Sequence, residues 1–521
     1  MKKRNSFLSR CFRYLIYVLP AVLFFSYFPL ITLGESEAMF FELSLPLIWL
    51  VVFFVVGLVL MIQKRNLFDL FKRKSRILLL AFPVWLSLSV IWSANSVRGV
   101  LAAGILWLVI FAGYAMWILR DLFDDGFRRT FLKWFFVSTL VACGWCVLQC
   151  VLDLVGVSRE YSLMCEGCTY RMFGFPHPNG FAIEPQFMGN LLLAPAMIAA
   201  WLFVRQSNSK NLERKRLRGV VLAMTFFIIS ATLFLTFSRG AIYAFVVGMM
   251  FMTGFVVVRA KKSGRKLVGK RMGVIWGVTV LAFAFTLNMQ GIMSAVGPTN
   301  DTYGSGVAKV LNHLSLGIID VRGEVDEAAD AMEPVENSVE NIEENNVENF
   351  ENNRGGLVNS NVENKNDVLS NEAVGNESKY DGYVAASTDI RVEMNRVALE
   401  TWASEPRTLL FGVGLGGAGQ AMYDKGLTGI PREIVQNQYV SLLLETGIVG
   451  VVMLIVTGIF VIRLVVFKNG GGLFLSLSAC YLVSLLFFAG LPNAIQIYLM
   501  PVVILAICDK VSAKKRAKAC D

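Results

Sequence analysis

The sequence predicts an all-α, polytopic integral membrane protein with about twelve transmembrane helices and one large extracytoplasmic loop. Of its 521 residues, 55% are hydrophobic and 17% are charged, whereas soluble domains carry about 25% charged residues. The charges are concentrated between apolar runs that each approach the length needed to cross a bilayer. Backbone polar groups in hydrocarbon must be paired within their own segment, so these runs are predicted to be helices.

Twelve apolar runs qualify as membrane spans. The predicted spans are 14–32, 44–62, 77–93, 99–119, 134–156, 187–204, 219–237, 240–258, 273–290, 447–466, 473–489 and 495–508. The first is expected to be a retained helix, because no small-residue cleavage site follows it. The spans divide the chain into a nine-helix membrane part (1–290), a large loop (291–446) and a three-helix membrane part with a basic tail (447–521).

The distribution of positive charge predicts the orientation in the membrane. If the N-terminus is cytoplasmic, 35 of the 49 Lys and Arg residues lie in cytoplasmic segments. The short outer loops then hold only Arg98, Arg159, Arg171 and Arg239, as the positive-inside rule requires. We therefore expect a protein of the cytoplasmic (inner) membrane with both termini in the cytoplasm. The net charge of +10 serves this orientation and does not indicate nucleic-acid binding.

The large loop has two parts. Residues 324–378 are rich in Asn and Glu and poor in large apolar side chains, which predicts a disordered insertion without a catalytic role. A short amphipathic repeat helix is the alternative. Further on, Arg391–Ala403 has helical spacing of its apolar residues, and a glycine-rich turn, FGVGLGGAG, follows at 411–419. This turn lacks the Lys-Ser/Thr of a phosphate-binding P-loop, and we expect it to shape the outer cavity.

Arginine residues on the predicted outer side form a candidate anion site. Arg239 lies in the short link between the seventh and eighth spans, where a charge is costly unless it is paired or hydrated. It could contact lipid headgroups or hold an anionic ligand, since guanidinium groups bind phosphate oxygens with two hydrogen bonds. Together with Arg171, Arg391 and Arg396, it forms a candidate diphosphate-binding cluster.

Two glutamates near the membrane are candidate acid–base residues. Glu184 precedes Pro185, where a carboxyl group with a raised pKa could act as a general base or cap the following span. Glu445 lies in the apolar segment LLLETGIVG and has either a functional role or a role in hydrogen bonding at a helix start. The two histidines, His177 and His313, are expected to be structural.

The cysteines do not indicate a metal centre or a disulfide framework. Cys143 and Cys146 fall inside the fifth predicted span, where packing is the expected role. Cys165 and Cys168 lie in an outer loop and could close a small disulfide. We expect no metal and no cofactor.

Five segments resemble the O-antigen ligase/polymerase superfamily of bacterial membrane glycosyltransferases. They are SLSVIWSANSVRGV at 87–100, the Glu-Pro step at 184–185, LTFSRGAIYAFVVG at 235–248, NRVALETWASEPRTLLFGVGLG at 395–416 and VQNQYVSLLLETGIVG at 435–450. Their order and their predicted side of the membrane fit the family. The resemblance covers most of the chain except 324–378.

The resemblance implies an enzyme that uses an undecaprenyl-diphosphate-linked glycan and inverts the anomeric centre at the extracytoplasmic face, without a nucleotide. Polymerases of this kind transfer the chain to another lipid-linked repeat unit, and ligases transfer it to the lipid A–core. The family role of holding the donor diphosphate falls on Arg239, then on Arg396 and Arg171. Membrane lipids, a flippase and a chain-length regulator are the implied partners.

One departure from the family pattern favours a polymerase. Ligases typically carry His-Asn where this sequence has Gln436-Asn437, and a glutamine cannot act as a base at neutral pH. A base would then be Glu184 or Glu445, or else positioning suffices. The alternatives are a ligase acting on a lipid or protein acceptor, and a flippase or transporter. A flippase would show repeated halves and charged or broken helices near the membrane midplane, and no clear internal repeat is present.

Overall fold

A computed structural model of the chain shows a protein built almost entirely of helices. The residues it describes are 7–25, 29–33, 41–65, 78–155, 177–182, 184–205, 212–263, 266–296, 302–315, 379–429, 431, 433–465, 471–488, 495 and 497–500. Arg171, the pair Cys165–Cys168 and the predicted insertion 324–378 lie outside these residues.

Fifteen α-helices and one short hairpin make up the described part of the chain. The first helices and the hairpin are α1 (Phe7–Phe24), β1 (Pro29–Leu33), β2 (Phe41–Ser44), α2 (Leu45–Gln63), α3 (Ala81–Ser89), α4 (Ser96–Ile118), α5 (Asp125–Leu154), α6 (Pro185–Val204) and α7 (Leu212–Leu235). The remaining helices are α8 (Arg239–Ser263), α9 (Lys266–Val296), α10 (Tyr303–Leu314), α11 (Lys379–Ala403), α12 (Pro406–Phe411), α13 (Ala418–Asp424), α14 (Gln438–Val465) and α15 (Gly472–Ser484).

The predicted fold class, an all-α polytopic membrane protein, is confirmed. Nine helices in the described residues are long and apolar enough to cross a membrane, namely α1, α2, α4, α5, α6, α7, α8, α9 and α14. Two shorter apolar helical segments, Leu78–Trp92 and Gly472–Ser484, coincide with the third and eleventh predicted spans. The last predicted span lies mostly beyond the described residues, so the total of twelve stays a prediction.

Among the predicted boundaries that differ from the structure, two bear on the architecture. The first span was expected at 14–32, but α1 ends at Phe24 and residues 29–33 pair with 41–44 as an antiparallel hairpin. A short apolar run fits a strand as well as a helix, so hydropathy alone misplaced this end. The tenth span was expected to begin at residue 447, but α14 begins at Gln438 and continues across a kink at Gly447, where φ is 63°.

Aromatic packing joins the first two spans to the fifth predicted one. Phe12 of α1 lies 4.8 Å from Phe53 of α2, between ring centroids. Phe127, Phe131 and Phe135 stack in series along one side of α5 and are almost fully buried. Aromatic side chains bury large areas and favour such offset contacts. Tyr17 of α1 also lies 4.5 Å from Phe127, between ring centroids, so α1 packs against both α2 and α5.

Helix α6 is the most enclosed of the spans in the described residues, and it packs against α7, α8 and α15. By contrast, α9 and α14 expose large apolar side chains along their length. Examples are Val280 and Leu281 on α9, and Val452 and Ile455 on α14. Exposed apolar surface of this extent is expected where a helix contacts lipid. The helices α6, α8 and α15 therefore form the interior on which the candidate site is built.

The chain divides into two compact units, residues 1–310 with 391–521, and residues 311–390. Of the second unit, the structure describes the end of α10 and the first part of α11. In the first unit, the segment 391–444 has its own small core, made of Val397, Ala398, Val413, Ala418, Ala421, Met422, Val435 and Leu444. The predicted helix Arg391–Ala403 is confirmed as part of α11. The division predicted at residues 290 and 446 stays a prediction.

Candidate functional site

The tight turn between α7 and α8 places a buried arginine at a helix start. The turn is closed by Thr236 and by Phe237, whose φ of 46° lies in the left-handed region. Arg239 is the first residue of α8 and is only 8% exposed. The hydroxyl of Ser238 is buried and has no hydrogen-bond partner among the described residues. A buried arginine and the first N–H groups of a long helix therefore lie together at the start of α8.

Three helix ends meet at Phe487, just after α15. Gln186, in the first turn of α6, donates a hydrogen bond from Nε2 to the carbonyl oxygen of Phe487. The ring of Tyr243 on α8 lies 5.9 Å from the Phe487 ring. A Cβ atom on Gly240 would lie 2.6 Å from Cβ of Phe487, so this approach requires glycine. The start of α6, the start of α8 and the end of α15 thus form one corner.

Glu184 and Arg391 act on each other electrostatically at this corner. Glu184 occupies the N-cap position of α6 and is half-buried. Burial raises the pKa of its carboxyl group above the ordinary value, and the positive charge of Arg391 lowers it in part. Burial disfavours the ionised carboxylate and a nearby cation favours it. The structure therefore brings together two of the predicted site residues, from the α6 start and from α11.

The start of α14 is fastened to the end of α15. Asn437 caps α14, because its Oδ1 atom accepts hydrogen bonds from the backbone N–H groups of Tyr439 and Val440, at 3.0 and 3.3 Å. The backbone N–H of Gln438 donates to the carbonyl oxygen of Leu485, at 2.9 Å. Gln436 is exposed just ahead of this cap. Gln438, which follows the Gln436-Asn437 pair, thus connects the α14 start to the residues between α15 and Phe487.

Arg396 contacts acidic residues of its own helix. Its guanidinium pairs with Glu393 and Glu400, one turn away on either side, and 58% of its side chain is exposed. Its positive charge and hydrogen bonds lower the pKa of the Glu393 carboxyl group. The interactions described for Arg396 are therefore within α11, and they do not include Glu184 or Arg391.

Glu445 lies against the glycine-rich turn. Its Oε1 atom accepts a hydrogen bond from the backbone N–H of Gly416, at 3.0 Å. Its carbonyl oxygen accepts another from the N–H of Gly414, at 2.9 Å. Three glycines of this turn, Gly412, Gly414 and Gly416, have positive φ angles. The turn is confirmed as a glycine turn, and it contacts both the backbone and the side chain of Glu445 on α14.

Sequence analysis missed a buried glutamine that holds the loop before α6. Gln149 of α5 donates from Nε2 to Oδ1 of Asn179, at 2.8 Å, and its Oε1 accepts from the N–H of Gly180, at 2.9 Å. Asn179 in turn donates to the carbonyl oxygen of Ala182, at 2.6 Å, two residues before Glu184. A polar residue inside a predicted apolar span was the available signal.

His177 lies in the same loop and is also buried. Its ring is 5.5 Å from that of Phe237 in the α7–α8 turn. Burial lowers the pKa of His177 to about 3, so its imidazole is neutral at physiological pH. This contact links the loop that leads to Glu184 with the turn that leads to Arg239.

The cysteines within the membrane helices pack as free thiols. Cys143 and Cys146 on α5, and Cys480 on α15, are buried and unbonded to other cysteines. The predicted packing role of the first two is consistent with this burial. Among the described residues, no group of three or more His, Cys, Asp or Glu side chains could hold a metal ion.

Residues 224–455 match the family model described as O-antigen ligase. This match supports the resemblance of the chain to the O-antigen ligase/polymerase superfamily. The matched segment includes the α7–α8 turn with Arg239, the helix with Arg391, and the start of α14. The family points to a membrane enzyme of the glycosyltransferase type. Glu184 and Gln149 precede the matched segment. No curated protein sequence gives a significant match to the chain.

Proposed function

We propose that this protein is a polysaccharide polymerase. It transfers a glycan from an undecaprenyl-diphosphate-linked donor to another lipid-linked repeat unit at the outer face of the cytoplasmic membrane. In this proposal both termini are cytoplasmic, as the charge distribution predicts. The corner formed by α6, α8 and α15 then faces the extracytoplasmic side, where a flippase would deliver the substrate and a chain-length regulator would act.

The observation that carries the proposal is the buried Arg239 at the first position of α8. The N–H groups at a helix start and the helix dipole favour a bound anion. A guanidinium adds two charge-assisted hydrogen bonds to phosphate oxygens. The buried Ser238 hydroxyl, without a partner among the described residues, supplies a further polar group at this point. Together they form a site suited to a diphosphate.

The reaction breaks the bond between the anomeric carbon of the donor glycan and its phosphate oxygen. A hydroxyl group of the acceptor sugar forms the new glycosidic bond, and lipid diphosphate leaves with the bonding electron pair. Arg239 stabilises the negative charge that develops on the leaving diphosphate. Glu184, ionised, accepts the proton that the acceptor hydroxyl loses. Inversion follows from a single displacement on the opposite face of the sugar.

The other predicted site residues have subordinate roles in this mechanism. Arg391 favours the ionised, proton-accepting form of Glu184 and can reach a second anionic group. Gln436 and Asn437 lie at the α14 start, where they would orient the acceptor. Arg396 was a diphosphate candidate from its sequence position, but it is assigned no contact with the substrate, because Glu393 and Glu400 already hold its guanidinium. Arg171 is a candidate from the sequence alone.

A ligase is the second candidate, since the matching family model is described as O-antigen ligase. It would share the donor half of the mechanism and differ only in the acceptor. The resemblance noted above favours the polymerase, because Gln436 stands where ligases typically carry a histidine. Neither of the two histidines in the chain, His177 and His313, belongs to the α14 start.

The test uses the purified full-length protein in lipid vesicles with undecaprenyl-diphosphate-linked repeat units as the only glycan. A polymerase yields a ladder of lipid-linked chains that differ by one repeat unit. Transfer only after lipid A–core or another acceptor is added would contradict the polymerase and support the ligase. Movement of the lipid-linked unit across the bilayer without new glycosidic bonds would support a flippase.

A further inference from the structure

We infer that Glu445 is a positioning residue that fastens the glycine-rich turn to α14, and that it does not take part in proton transfer. Residues 411–419, together with their contacts on α14 and on the α3–α4 link, form a glycine clasp. The inference rests on hydrogen bonds and on close backbone contacts from both sides. It goes beyond the proposed function, although its activity assay depends on that function.

On the α14 side, three hydrogen bonds join the clasp to consecutive residues. The backbone N–H of Val413 donates to the carbonyl oxygen of Leu444, and that of Gly414 donates to the carbonyl oxygen of Glu445, both at 2.9 Å. The side chain of Glu445 then accepts from Gly416 N–H, at 3.0 Å. The carboxylate oxygen is thus used as a hydrogen-bond acceptor for the backbone of the turn, and the charge of Arg98 also acts on it.

On the other side, the turn is bound to the link between α3 and α4. The hydroxyl of Ser93 donates to the carbonyl oxygen of Leu415, at 2.8 Å. The N–H of Leu415 donates to the hydroxyl oxygen of Ser89, at 3.1 Å. The N–H of Ala94 donates to the carbonyl oxygen of Val413, at 3.1 Å. The turn therefore lies between two helical elements that are more than 300 residues apart in the chain.

The glycines allow these approaches. A Cβ atom on Gly412 would lie 2.4 Å from the backbone of Glu445, and one on Gly414 would lie 2.3 Å from Cα of Ser93. A Cβ on Gly447 would lie 2.3 Å from the carbonyl oxygen of Leu410. All three residues also have positive φ angles, which favour glycine. The segments 87–100, 411–419 and 444–450 thus pack against one another, and the Glu445 side chain lies among them.

The clasp connects the small core of 391–444 to the membrane helix that begins at Gln438. Val413 and Leu444 are members of this core, together with Val435 just before the Gln436-Asn437 pair. If the clasp loosens, the α14 start loses a support that lies two turns further along the same helix. We therefore expect Glu445 to influence catalysis through the position of this helix start.

Two substitutions separate positioning from proton transfer. Glu445→Gln keeps an oxygen that can accept the Gly416 hydrogen bond but removes any basic function. We expect its polymerisation rate to stay within about threefold of the natural protein, whereas Glu445→Leu lowers the rate by about tenfold or more. Hydrogen–deuterium exchange of the 413–416 amides gives a readout that does not depend on activity. Exchange should rise in Glu445→Leu and remain slow in Glu445→Gln.

Two results would overturn the inference. One is a Glu445→Gln protein that is as inactive as Glu445→Leu while its 413–416 amides remain protected, since this indicates proton transfer. The other is unchanged amide protection in Glu445→Leu, since the side chain would then not fasten the turn. If the natural protein forms no glycosidic bonds, the proposed function fails, and the amide exchange still decides the role of Glu445.

Discussion

At the scale of single residues, the site depends on a guanidinium at the start of a long helix. Arg239 is buried next to the unpartnered Ser238 hydroxyl, whereas Arg396 is exposed and paired with two carboxylates of its own helix. Sequence analysis grouped these arginines because each was predicted to lie on the same side of the membrane. It could not show that Arg396 is paired within its own helix, because that depends on side-chain contacts along α11.

Arg239→Ala is predicted to lower glycan transfer by about 100-fold or more, because a donor that stabilises the leaving diphosphate is lost. Arg239→Lys should retain part of the rate, since an ammonium keeps the charge but not the two-pronged hydrogen bonding. The measurement is the chain-length ladder formed in vesicles, with membrane insertion checked separately. Arg396→Ala is the matched control and should change the rate by less than about threefold. If Arg239→Ala and Arg396→Ala lower the transfer rate equally, the assignment of Arg239 to the diphosphate site is contradicted.

The pH dependence of transfer is predicted to follow Glu184. A base must be ionised, and burial raises its pKa in the folded protein, so the rate should rise with pH through this raised pKa. The charge of Arg391 opposes the rise in pKa. Arg391→Ala should therefore move the ascending limb of the pH–rate profile to higher pH, and Arg391→Lys should move it less. If the ascending limb of the pH–rate profile stays in place in Arg391→Ala, or moves to lower pH, the assignment of Glu184 as the general base is contradicted.

At the scale of elements, the sequence patterns predicted helices well and their ends less well. Hydropathy located α2 and α4 to α9, because a run of about 20 apolar residues has few alternatives in a membrane. It misplaced the start of α14, since the kink at Gly447 and the cap by Asn437 depend on the backbone of the glycine turn. The spacing of Val392, Val397, Leu399 and Trp402 predicted α11. Val397 and Trp402 pack in or against the small core, whereas Val392 and Leu399 are exposed.

Close packing of α8 against the end of α15 gives an element-scale prediction. Gly240→Ala places a methyl group against Phe487 and should destabilise the protein by about 1–3 kcal/mol through overpacking. It should also lower activity, because Arg239 is the adjacent residue. Gly254→Ala on the same helix is the control, since no atom lies within 4 Å of its added Cβ. Thermal unfolding in detergent measures the difference, and equal midpoints for the two variants would contradict the packing argument.

At the scale of the whole molecule, the described corner is assembled from distant parts of the chain. The loop held by Gln149, the α7–α8 turn, α11 and the α14 start all contribute to it, and they span more than 280 residues of sequence. Sequence motifs identified all four as separate segments on the predicted outer side. That these segments lie together depends on tertiary packing. The same is true of the hydrogen bonds by which Gln149, inside a membrane span, holds the loop before α6.

Deletion of 324–378 is predicted to leave transfer activity within about threefold, because a segment this poor in apolar residues cannot contribute a packed core. The variant should insert into the membrane normally and give the same products as the full chain in the vesicle assay. A complete loss of activity with normal insertion would show that this segment takes part in catalysis or substrate binding.

The central claim is that this membrane protein forms glycosidic bonds by displacing a lipid diphosphate at the Arg239 corner. Its most direct measurement counts both products together, with undecaprenyl-diphosphate-linked repeat units carrying one label on the lipid and another on the glycan. The account predicts one released undecaprenyl diphosphate for each new glycosidic bond, with both products reduced by about 100-fold or more in Arg239→Ala. New glycosidic bonds at the normal rate in Arg239→Ala, or no bonds at all in the natural protein, would contradict it.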